Sequence, residues 1–148
     1  MPAKSRNLST RVKDLMEVPP VVISENSTVD EAASMMWEKN IGSLIVVGGT
    51  GEMVGIVTER DMLFAVTKGL TGKTVPVSSI TSKTELKATP MQSIATALET
   101  MRKGGVRHLP VVDKSGKPLG MISMRDALDI MGPILKQVLS SISKPRPD

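Results

Sequence analysis

The chain has 148 residues, 40% of them hydrophobic and 23% charged, enough for one compact core or two small ones and too few for a large multidomain enzyme. It contains no cysteine, which excludes disulfides, thiolate metal sites and cysteine nucleophiles together and fits a reducing cytoplasm. Much of the net charge of +4 sits in the tails, at Lys4, Arg6, Arg11, Lys144 and Arg146, and Trp37 and Phe64 are the two aromatic residues, so the surface reads as mildly basic and solvated rather than as a nucleic-acid platform.

Residues 1–11 are polar and basic, without the apolar stretch of a secretion signal, and read as a flexible segment. No run approaches the roughly 18 apolar residues of a membrane span. Val21 to Ile23 is a short β-branched strand, and Ser27 or Thr28 caps a helix whose Val29, Ala32, Ala33 and Met36 form a core face. Leu44 to Val47 is a buried strand, residues 48–51 a glycine-rich turn, and Met53 to Val57 the return strand. Thr58 opens a second helix.

The whole unit then recurs 65 residues later: Gly55-Ile56-Val57-Thr58-Glu59-Arg60-Asp61 returns as Gly120-Met121-Ile122-Ser123-Met124-Arg125-Asp126. The same offset carries Leu44, Val46 and Val47 onto Leu109, Val111 and Val112, and Val29, Ala32 and Met36 onto Ile94, Ala97 and Met101. The expected organisation is a first repeat over 12–67, a linker over 68–76 rich in glycine and proline, a second repeat over 77–131, and a C-terminal helix and tail over 132–148. In that last stretch Gly132-Pro133 breaks the chain, and Ile134, Leu135, Val138, Leu139 and Ile142 line one side of a further helix. Each repeat is a β-α-β-β-α unit of mixed α/β (α+β) class, too small to be comfortable alone, so the copies are expected to pack face to face with pseudo-two-fold symmetry.

The strand-to-helix junction carries the chemistry. Thr58 and Ser123 stand where a helix leaves a strand, so backbone N–H groups and a hydroxyl converge on a point suited to an anion. Asp61 and Asp126, three residues later, would repel a phosphate at contact distance but suit the vicinal hydroxyls of a ribose. Together they describe a nucleoside phosphate. The same residues also satisfy a capping box, in which the acid reaches back to the backbone, and on residue types alone both readings stand. Arg107 and His108 add a basic pair where the first copy has Gly42 and Ser43. They can meet a phosphate entering between the repeats, or lie at a strand end with no ligand. His108 is the single histidine, which excludes a histidine-cluster metal site.

A pair of repeats ending in glycine, two apolar residues, Thr or Ser, two residues and Asp, the second bearing Val106-Arg107-His108-Leu109-Pro110-Val111-Val112-Asp113, resembles the tandem CBS-domain (Bateman) module over Val12 to Met131. The resemblance implies two pseudo-symmetric clefts for AMP, ADP, ATP or an S-adenosylmethionine-type ligand. By it, Thr58 and Ser123 contact phosphate, Asp61 and Asp126 hold ribose, and Arg107 and His108 reach the phosphates. Backbone around Ile23, Ser24, Ala88 and Thr89 edges the base. Gly42, at a position often basic in phosphate-binding members, makes the clefts unequal. With no P-loop, nucleophile elbow or metal constellation, no catalytic residue, metal or required cofactor is expected. The sequence also carries no resemblance to an attached host enzyme, so whatever is regulated is expected to be reached in trans, through a homodimer or a partner protein. A ligand-free assembly module is the alternative.

Overall fold

The computed structural model describes residues 10–83 and 86–129, together with Gly132 and Ser140. Residues 1–9 of the basic segment and, Ser140 apart, the expected helix from Ile134 to Ile142 lie outside the described residues. The first repeat runs β1 (Val22–Ser24), α1 (Val29–Lys39), β2 (Ser43–Val47), β3 (Met53–Thr58) and α2 (Glu59–Thr67). The second runs α3 (Ile94–Gly104), β4 (His108–Val112) and β5 (Pro118–Ser123), followed by helical residues 124–129.

The helices α1 and α3 begin and end by the same devices. Thr28 Oγ1 accepts the Glu31 N–H at 3.1 Å, and Ser93 Oγ accepts the Thr96 N–H at 3.2 Å, each satisfying one orphan donor of a first turn. Asn40 and Gly105, again 65 apart, close them in the left-handed conformation. The buried stripe is Val29, Ala32 and Met36 in α1 and Ile94, Ala97 and Met101 in α3. Ala33, expected on that face, is exposed, and Met35 packs against the core edge instead.

In the first sheet β1 pairs parallel to β2, and β2 antiparallel to β3. The second sheet has β4 antiparallel to β5 in the matching register. The first strand expected for the second repeat shrinks, among the described residues, to one parallel bridge, Ala88 to Val111. The reason is covalent. Glu25 N–H extends the β1 ladder to Val47 O at 2.9 Å, but the residue in its place in the second repeat is Pro90, which has no N–H to give.

The segments that precede each repeat are exchanged. Glu17 forms a reciprocal backbone pair with Met121 of β5, at 2.8 and 3.1 Å, and Ser82 forms the equivalent pair with Ile56 of β3, at 3.1 and 3.0 Å. Val12 is accordingly buried in the core of the second repeat with Ile94, Met101, Leu109 and Ile122. Val77 and Ile80 are buried in the core of the first with Leu44, Val46 and Val57. The recurring glycine of each junction makes this possible: a Cβ on Gly55 would stand 2.6 Å from Ser82 O, and one on Gly120 2.7 Å from Glu17 O. The two turns meet as well, where Met53 N–H donates to Gly116 O at 3.0 Å. The pseudo-symmetric bond is impossible because Pro118 replaces Met53.

Candidate functional site

Each strand-to-helix junction forms its capping box. At the first, Asp61 Oδ2 accepts the Thr58 N–H at 2.8 Å and its hydroxyl at 3.1 Å, while the Asp61 N–H returns to Thr58 Oγ1 at 3.3 Å. At the second, Asp126 Oδ2 accepts the Ser123 N–H at 3.2 Å and the Asp126 N–H donates to Ser123 Oγ at 3.0 Å. The Thr58 and Ser123 amides, expected to face an anion, are therefore engaged by carboxylates. Each aspartate stays partly exposed and keeps further lone pairs, since a carboxylate has about four acceptor sites.

The exchanged segments complete the two junctions differently. Ser82 donates its hydroxyl to Asp61 Oδ1 at 3.2 Å. At the equivalent place in the second junction stands Glu17, whose carboxyl is raised above the usual range by burial and then by Asp126, against the pull of Arg125. One aspartate thus receives a hydroxyl donor and the other a second acid. Sequence reading missed both Ser82 and Glu17. The 65-residue offset does relate them, but nothing in the chain marks that each crosses to the other repeat.

Arg107 and His108 stand at the entry to β4, beside the second junction: His108 is the cross-strand partner of Ser123, and Arg107 O accepts the Met124 N–H at 2.7 Å. Burial holds the His108 imidazole below its ordinary value, opposed by the carboxylates of Glu59 and Asp126 and reinforced by Arg107. His108 therefore lies within the field of both repeats' helix starts. In the first repeat the matching contact is Glu59 N–H to Gly42 O at 3.1 Å, and the Glu59 carboxylate lies over the glycine, its Oε1 3.4 Å from where a Cβ would be.

The base-edging residues do not join their own repeat's junction. Ser24 pairs with Val47 and Thr58 with Ser43, at opposite ends of β2, about 13 Å apart at 3.3 Å per residue along the strand. Ile23 is a core residue, and Ala88 is fully buried, its N–H donating to Pro110 O and its carbonyl accepting the Val112 N–H. Thr89 follows at the far end of β4 from Ser123, its N–H held by Gln92 Oε1 at 3.3 Å. The parallel direction of β1 is the cause. It sets the entry of the strand, where Val21 O accepts the Ile45 N–H at 3.2 Å, nearer the Thr58 end.

Among the described residues no group of three or more His, Asp or Glu side chains is placed to hold a metal ion, and no helix is long and apolar enough to cross a membrane. The CBS domain family model matches residues 12–68 and 77–132. A relative described as an uncharacterized 17.7 kDa protein from Acidianus ambivalens is 34% identical over 121 residues, covering 80% of this chain and 71% of that one. Several other curated relatives are longer, and the chain spans less than half of their length. Among solved structures, the CBS domain pair of protein MJ0100 in complex with 5′-methylthioadenosine and S-adenosyl-L-methionine superposes with a TM-score of 0.78 at 26% identity, over 84% of this chain and 98% of that one. CBS domain protein PAE2072 from Pyrobaculum aerophilum, complexed with AMP, superposes with a TM-score of 0.76 at 28% identity, over 88% and 99%. A duplicated unit with matching register, caps and junctions, matched in both halves by one family model, makes this chain a member of the CBS-domain family built as a tandem pair.

Proposed function

We propose that this CBS pair is a non-catalytic regulatory module that binds an adenine nucleotide, AMP, ADP or ATP, between its repeats and signals to a protein partner. The observation that carries the reading is the convergence of a ribose-compatible carboxylate, Asp126, with the basic pair Arg107 and His108 at one junction. The two solved relatives bound to adenosyl compounds support the ligand class. In this reading Asp61 and Asp126 accept from ribose hydroxyls, Thr58 and Ser123 orient those carboxylates, Ser123 touches phosphate, and Arg107 and His108 face it. The base lies against the entry of each first strand rather than against Ile23, Ser24, Ala88 or Thr89.

A second copy of the chain covers α2, whose Leu63, Phe64 and Val66 are exposed at 69%, 49% and 68%. Occupancy changes the contact with the protein partner by its different affinity for two arrangements of the repeats.

A ligand-free assembly module is the second reading, and the completed capping boxes favour it, because they account for both aspartates without a ligand. Mass spectrometry of small molecules released from the purified protein, followed by calorimetry with AMP, ADP, ATP and S-adenosylmethionine, separates the two. Recovery or binding of an adenosyl compound supports the sensor. Silence with all four at millimolar concentration supports assembly alone.

A further inference from the structure

The two repeats put opposite charge at the same place. In both, the first helical N–H after the junction donates to the residue that opens the central strand: Glu59 to Gly42 at 3.1 Å, and Met124 to Arg107 at 2.7 Å. The backbone is thus matched, yet one position pairs an acid with a bare glycine and the other a cation with a neutral thioether. The Glu59 carboxylate lies 3.4 Å from the point where a side chain on Gly42 would begin. The Glu59 side chain is exposed, and its charge also acts on His108 of the other repeat.

Resting on the reading of the clefts as adenosyl sites, we propose that Glu59 is the specificity-determining residue that excludes phosphate from one of the two positions, leaving that cleft to an adenosyl ligand with an uncharged or cationic 5′ substituent while the Arg107 position takes a nucleotide. A phosphate at the Glu59 position would meet a carboxylate at contact range with no cation supplied by Gly42. Like charges so placed oppose binding, whereas a sulfonium or a thioether meets no such penalty. The nucleoside part is common to both positions, because both keep the aspartate of the junction.

Calorimetry on the full chain with adenosine and AMP tests this. The expected result is two adenosine sites and one strong AMP site, with the second AMP site weaker by about tenfold or more. Glu59→Met, which writes the second repeat's residue into the first, and Glu59→Gln, which keeps the shape, are each expected to strengthen the weak AMP site about tenfold and leave adenosine unchanged. Gly42→Arg combined with Glu59→Met should bring AMP to two comparable sites. A Cβ at Gly42 is tolerated, since its three nearest atoms all belong to the Glu59 side chain, the closest at 3.4 Å. Two equal AMP sites in the parent, or variants that move adenosine and AMP alike, would overturn the proposal while leaving the adenosyl reading intact. Absence of heat with both ligands would remove both.

Discussion

Ser82 donates to Asp61 Oδ1 at 3.2 Å although it belongs, by order along the chain, to the approach to the second repeat. The contact exists because residues 77–82 cross back onto the first sheet, just as 12–17 cross onto the second. Each repeat's core and each candidate site is therefore finished by a segment attached to the other. The exchange ties the folding of the two halves together.

Gly55→Ala and Gly120→Ala should each destabilise the fold by about 1–3 kcal/mol, the usual cost of forcing atoms into filled space. The added methyl would meet backbone, Ser82 O at 2.6 Å or Glu17 O at 2.7 Å, which cannot swing aside as a side-chain tip can. Gly49→Ala is the control, with nothing within 4 Å of its Cβ. Urea unfolding should show one shared transition in each variant, because each repeat's core is completed by a segment attached to the other.

The offset of 65 residues, the helix caps and the paired junctions were all legible in the chain, because each depends on residue type at short range. The exchange was not. Residues 12–17 adjoin the first repeat in sequence, and only long-range pairing sends them to the second. The distance of the base-edging residues from their own junction was hidden for a related reason: local pattern marks Ile23 and Ser24 as strand but carries no sign of which end of a parallel strand lies beside Thr58. The second repeat's lost strand, by contrast, is legible in Pro90, which has no N–H to give.

Asp61→Ala and Asp126→Ala separate cap from ligand site. Loss of a cap should cost about 0.5–2 kcal/mol of stability. Asp61→Ala should lie at the upper end, since it removes acceptors for Thr58 N–H, the Thr58 hydroxyl and the Ser82 hydroxyl, whereas the described bond lost from the Asp126 carboxylate is the one from Ser123 N–H. If the carboxylates also hold ribose, adenosine affinity should fall by roughly 1.5–3 kcal/mol in addition. Denaturant curves and calorimetry on the same preparations read the two effects separately, and unchanged affinity in both variants would make the aspartates caps alone.

AMP binding should strengthen as pH falls through the neutral range, and adenosine binding should not. Burial holds His108 neutral near pH 7, and a phosphate dianion beside it favours the imidazolium, so AMP binding takes up a proton. In the free protein the depressed imidazole works the other way: stability is full above the ordinary pKa of about 6.5 and declines as pH falls from there through the lower folded value. The groups that act on it are Glu59, Asp126 and Arg107. His108→Gln should flatten the AMP profile, while Arg107→Ala should weaken AMP at every pH and keep its slope. Proton uptake, measured by calorimetry in buffers of different ionisation enthalpy, should vanish in His108→Gln.

Leu63, Phe64 and Val66 project from a helix whose buried contribution is Ala65, an arrangement that leaves apolar surface for a second copy to cover. Leu63→Glu with Phe64→Glu should convert a dimer to a monomer in light scattering, at micromolar concentration, through the charge forced into the contact. The fold of each copy should survive, since neither side chain belongs to the core of the first repeat. Trp37 on α1 is 86% exposed in the single chain and supplies an independent reading. If the partner copy reaches α1 as well as α2, Trp37 emission in the parent should be blue-shifted and quencher-resistant, and should move to that of a solvated indole in the double variant. A parent that scatters as a monomer, with Trp37 already solvated, would assign the apolar face of α2 to the protein partner instead of a second copy.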